Sequence, residues 1–230
     1  YDTVDAWGES PEYGAAIQGI FSGWDIAFYA AHIYQNQNSP NADAPDFSRI
    51  ALQDDRVTLV GSGGNYTFGS WLFKAELAFL DELDYLVAAP DASLLPAPPY
   101  RLEHLRRSRL DFMGGIEYYG FTDTNIALEV VNRHVFDYDP LLEYLPNYLE
   151  ENSVEMALRV TRDLMNSRLH LNALGVVLGE RAQRGTTVRL WVDYDLADAL
   201  VVTGGYLFFV AGDVPPLSDW ERNDRLFLTV

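Results

Sequence analysis

Ten charged residues sit at period-two positions of separate segments: Lys74 and Glu76, Asp111 and Glu117, Glu129 and Arg133, Glu155 and Arg159, Arg189 and Asp193. All but Arg133 have an apolar residue on one or both sides, so each charge turns away from a greasy neighbour. Both signs occur on neighbouring segments. Opposed acidic and basic walls around water make a transverse field that orients charged or dipolar solutes, and the same residues paired with one another would only brace a wall.

Groups suited to covalent or acid/base chemistry are less well placed. Asp193 with Asp195 and Glu150 with Glu151 are carboxylate pairs, but close acids are expected by chance in a chain with 34 acidic residues. His134 and His170 with Ser167 have the types of a hydrolase triad. Ser167 lies in a tight turn and His134 near the opposite end of its segment, so the three are not expected to meet. No enzymatic activity is expected and no cofactor is implied. Without cysteine there is no thiol nucleophile, thiolate metal site or disulfide. The acidic loops suggest divalent cations, or lipopolysaccharide bridged by them, yet none has the ligand spacing of a calcium loop, and no metal set is assigned. Gly61, Gly63 and Gly64 lack a following helix, so a bend or close approach in a strand fits them better than a phosphate loop.

The elements that position the charges are strands. Leu110, Phe112, Gly114, Ile116 and Tyr118 oppose Asp111, Met113, Gly115 and Glu117; a turn at Asp123 and Thr124 leads into Ile126, Leu128 and Val130 opposite Asn125, Glu129 and Arg133. The same alternation predicts about eleven strands: 13–22, 24–35, 56–68, 71–81, 109–121, 125–136, 153–164, 168–180, 186–196, 199–211 and 224–230. Turns at Ser22-Gly23, Gly69-Ser70, Asp123-Thr124, Met165-Asn166-Ser167 and Ala197-Asp198 are tight. The connections 36–55, 82–108, 137–152 and 212–223 are long and Pro-, Asp- and Asn-rich, with a modest one at 181–185. Short and long alternate, which puts tight turns at one end and long loops at the other, as in outer-membrane barrels.

The expected fold is therefore all-β, an antiparallel transmembrane β-barrel in one domain over residues 1–230, with lipid covering the apolar face and the ten charged residues lining the lumen. Trp24, Trp71, Tyr118 and Phe121 flank tight turns, where an aromatic girdle would lie at the membrane interface, while Trp191 has the inward phase. Arg101, Arg106, Arg107 and Arg109 in "RLEHLRRSR", with "EHLRR" read as a short helical turn, are placed to meet lipid phosphates. A soluble β-sandwich binding module is the competing fold, although its strands are usually shorter. The closing strand "DRLFLTV" is short and lacks a terminal aromatic, and the first strand runs inward from the long-loop end. The first feature predicts a few further residues beyond Val230, and the second predicts the C-terminal portion of a longer barrel, or a further strand near Tyr1 to Trp7.

Bulk properties agree. A formal charge of −18 and a pI near 4.4 argue against nucleic acid as a partner, 48% hydrophobic residues is ordinary, and no apolar run approaches the roughly 18 residues of a transmembrane helix.

The stretch "RLDFMGGIEYYGFTDTNIALEVVNRHVFDYD" and the final "WERNDRLFLTV" resemble an uncharacterised proteobacterial outer-membrane family, a domain of unknown function often encoded near RND-type exporters. The resemblance implies a pore-like or export-associated barrel in the bacterial outer membrane, passing a small solute without chemistry, with outer-membrane lipid, lipopolysaccharide and exporter components as partners. A plugged barrel serving an envelope assembly is the alternative function.

Overall fold

The computed structural model describes residues 11–35, 39–42, 50–53, 55–90, 100–144 and 146–230, with backbone alone for 39–42, 50–53 and 100. A strand near Tyr1 to Trp7 lies outside the described residues. The described chain is all-β and contains no α-helix. Its strands are β1 (Tyr13–Phe21), β2 (Trp24–Tyr34), β3 (Ser39–Ala42), β4 (Ile50–Gln53), β5 (Arg56–Phe68), β6 (Trp71–Pro90), β7 (Tyr100–Phe121), β8 (Thr124–Val135), β9 (Asn152–Leu164), β10 (Leu169–Leu178), β11 (Gly185–Ala197), β12 (Leu200–Val210) and β13 (Arg225–Thr229). All except the small β3–β4 pair form one antiparallel sheet of eleven strands in chain order. The order is a plain meander, because every connection joins antiparallel neighbours and needs no crossover.

Alternation along each strand carries across the sheet through the register. Ile17, Phe28, Ser62, Leu77, Phe112, Asn132 and Val154 stand in one row, and Ile126, Val160, Ala173, Leu190 and Tyr206 in another. One face is thus apolar over its middle and the other polar. Among the described residues seven apolar side chains are buried, while 33 large ones are exposed. No second sheet of comparable size covers the apolar face among the described residues.

Tight turns fall at one end as expected, with small shifts. The β7–β8 turn is Thr122-Asp123, with Asp123 at φ 53°, and the β11–β12 turn is Asp198-Ala199, with Ala199 at φ 63°. In both cases the residue expected to turn is already paired in a strand. Gly23 (φ 83°) supplies left-handed backbone that L side chains adopt only with strain.

The long-loop end differs more. The segment 82–108 was expected to be a loop with a helical turn at "EHLRR"; instead β6 runs 20 residues and β7 22, pairing from Leu83 with Arg107 out to Pro90 with Tyr100. A bulge between Leu80 and Leu83, with Glu82 at φ 61°, accommodates one extra residue in β6. Strand wins over helix here because Leu83, Tyr85 and Val87 retain period-two alternation and find apolar partners. With Val57, Val135 and Leu142 they form the buried cluster, flanked by Leu105, Tyr138 and Leu149. Leu142 belongs to a 3-10 turn, Pro140–Glu143, capped by the Asp139 carboxylate, which accepts from the Leu141 amide at 2.9 Å. Register places Leu83, Tyr85 and Val87 on the side continuous with the polar face. The packed apolar core therefore sits at one end of that face, beside the long loops.

Candidate functional site: the polar concave face

All ten charged residues fall on one face. Lys74, Gly115 and Glu129 share a row across β6, β7 and β8; Asp111 pairs with Arg133, and Arg159 with Ala127 and Leu174. Arg189 pairs with Leu174 and Leu207, and Asp193 with His170 and Thr203. A cavity of about 570 Å³ touches β6 through β11 and is lined by Lys74, Glu117, Asn125, Glu129, Arg159 and Trp191, among others. A single cavity reaching six consecutive strands means that the polar face is concave there. Glu117 and Asp111 are shielded there, with side chains 13% and 24% exposed, while Glu76, Arg159 and Arg189 on the same face are exposed; Phe112 and Leu158 on the other face are 47% and 48% exposed.

Within the cavity Lys74 forms an ion pair with Glu117 and a second, at 3.5 Å, with Glu129. The second contact crosses β7 above Gly115, where an added Cβ would meet Glu129 Cγ at 3.2 Å and Lys74 Cβ at 3.4 Å. Lys74 is the chain's only lysine. Arg133 bonds Glu155 at 2.7 Å, and Asp193 accepts from Thr203 at 2.6 Å and Asn172 at 3.0 Å. The Arg189 guanidinium lies 4.6 Å from the Trp191 ring centre and 4.9 Å from that of Phe227. Glu76, Asp193, Arg159 and Arg189 form no ion pair among the described residues, which leaves two charges of each sign without a salt bridge. Such a wall can orient a small dipolar solute.

His170 Nδ1 lies 2.7 Å from Asp163 and its Nε2 3.8 Å from Asp195, so both nitrogens face carboxylates rather than Ser167. His134 is on the apolar face, 3.1 Å from Asn152 Oδ1. Glu150 accepts from the Gln183 amide at 3.1 Å, which places one member of that acid pair in a loop-to-loop contact. The glycine-rich part of β5 is a close approach: a Cβ on Gly61 would meet the Tyr29 ring at 2.4 Å.

The aromatic residues beside the tight turns stand together. Phe21 and Trp24 stack at 4.1 Å, Trp71 and Tyr118 lie 4.4 Å apart, and Tyr118 meets Phe121 at 5.0 Å. The arginines of "RLEHLRRSR" do not form one patch. Arg101 pairs with Glu103, Arg106 with Asp55 at 3.0 Å, Arg107 with Asp139 at 3.8 Å and Arg109 with Asp111 at 2.7 Å. Once the segment is a strand, alternate residues turn to opposite faces, and each guanidinium meets the carboxylate nearest its own face.

Sequence reading did not pair His104 with Asp84 and Asp55 at the start of the β6–β7 extension. The alternation of Leu83, Tyr85 and Val87 was the available signal, because extending β6 through it brings Asp84 opposite Arg106 and next to the His104 row.

Fold and site together define an antiparallel, single-layer all-β protein with an apolar convex face and a charged concave one. No protein-family model matches the sequence, and no curated protein matches it. No described helix is long and apolar enough to cross a membrane, which says nothing about crossing by strands.

Proposed function

We propose that this sheet is the wall of a β-barrel in the bacterial outer membrane, and that its concave face passes a small solute without chemistry. The observation that carries the reading is the inverted burial: large apolar side chains are exposed across all eleven strands while Lys74, Asp111 and Glu117 are shielded on the concave side. Hydrocarbon outside and water inside is the environment in which this distribution costs nothing. Most of the sheet's strands run 9–13 residues, against roughly 9–11 needed to cross a bilayer with tilt. The grouped aromatics beside the tight turns suit a headgroup interface. The resemblance to an exporter-associated family agrees with this reading and makes lipopolysaccharide and exporter components the partners to look for.

With eleven antiparallel strands, β1 and β13 run in the same direction. Closure with every neighbour antiparallel takes an odd number of further strands between them, and direct closure makes a parallel seam.

The second reading, a plugged barrel, is favoured by the cluster of Val57, Leu83, Tyr85, Val87, Val135 and Leu142, which occupies the concave side at the long-loop end. Single-channel recording of the purified protein in planar bilayers tests both. Discrete conductance steps support the pore. A protein that inserts, shown by heat-modifiable migration and detergent dependence, but gives no steps supports the plug. A monodisperse protein in detergent-free buffer overturns both.

A further inference from the structure

Beyond the bulge at Glu82, Asp84 alternates with Leu83 and Tyr85 and so points away from the apolar cluster they join, yet its side chain is only 2% exposed. A carboxylate removed from water requires a cation or strong donors. Among the described residues no arginine or lysine meets that carboxylate; the side chain that does is His104, whose Nδ1 lies 2.6 Å from Oδ2. The other imidazole nitrogen, Nε2, is buried without a hydrogen-bond partner. Asp55, just before β5, is also buried, and Arg106 bonds its Oδ1 at 3.0 Å. One ligand atom from each of Asp55, Asp84 and His104 lies within 4.8 Å of the other two. An imidazole with two carboxylates suits a borderline divalent cation such as Zn²⁺ better than Ca²⁺, which takes six to eight oxygens.

We propose that Asp55, Asp84 and His104 form a binding site for one divalent cation of the Zn²⁺ class, which clasps the β6–β7 extension to the start of β5. The cation neutralises the Asp84 carboxylate and gives the imidazole a second partner. It links two elements separated by 29 and 49 residues of chain, counted from Asp55 to Asp84 and to His104. Because Arg106 already serves Asp55, it competes with the cation. The site lies beyond the strand segments assigned to the bilayer, and its existence does not depend on whether the barrel conducts.

The test is calorimetric titration of ZnCl₂ into the full chain, folded in detergent micelles and freed of metal by chelator. One Zn²⁺ is expected per chain. His104→Gln and Asp84→Asn should each weaken binding by about tenfold or more, the range lost even when only an outer-shell partner is removed. Arg106→Gln should tighten it, an effect that a purely structural ion-pair network does not produce. Should His104→Gln fail to fold, diethylpyrocarbonate modification of the wild type, read by peptide mass, replaces it: Zn²⁺ should protect His104 and leave His32, His134 and His170 reactive. Zn²⁺ uptake unchanged in His104→Gln, no uptake by the wild type, or equal reactivity of His104 with and without Zn²⁺ would each overturn the proposal.

Discussion

The ammonium of Lys74 on β6 reaches Glu129 on β8 at 3.5 Å, across the full width of β7. It does so because Gly115, directly between them in the row, presents no side chain. Gly115→Val should therefore separate Lys74 from Glu129 while leaving the pair with Glu117 in place. The expected outcome is a shifted reversal potential under a salt gradient, with insertion unchanged. Lys74 also reports on water: as the only lysine, it should react with a membrane-impermeant amine reagent after insertion into vesicles. An unlabelled Lys74 in inserted protein would place it in a dry environment and count against a water-filled concave face.

Phe112 tests what covers the convex face. Its row runs through Leu77 and Asn132, and its side chain is 47% exposed. In hydrocarbon, Phe112→Arg should destabilise the folded protein by roughly 2–4 kcal/mol near the bilayer midplane. On a water-exposed surface the same change stays within about 0.5 kcal/mol. Urea titration of both proteins in lipid vesicles distinguishes these outcomes.

Tyr138 links the loop after β8 to its own return: its hydroxyl donates to the Leu149 carbonyl at 2.7 Å. Burial first, and then Glu143, Glu150 and Glu151, push its phenol well above the ordinary value of about 10. The fold thus favours the neutral form. Its stabilising contribution is complete below pH 10 and is lost as pH rises above it. Absorbance at the phenolate band, wild type minus Tyr138→Phe, should show this group titrating above the ordinary phenol value of about 10. Titration at that ordinary value would mean that the loop does not pack as described.

The residue order by itself determined the period, and with it the two faces. Ile116 and Leu128 against Glu117 and Glu129 needed only the pleat, which sends successive side chains to opposite sides whatever the neighbouring strand does. The end bearing the tight turns was equally legible, since short and long connections can be measured along the chain. Pairings were not. That Lys74 meets Glu117 and Glu129 while Glu76 meets no base depends on the offset between strands, which no single strand encodes. The β6–β7 extension was hidden because Glu82 interrupts the alternation at a bulge, and its strands are held by contacts with Val57, Val135 and Leu142 from distant segments. Tertiary structure alone brought Asp55, Asp84 and His104 together, because three loosely spaced residues become neighbours only after the bulge has set the register between β6 and β7.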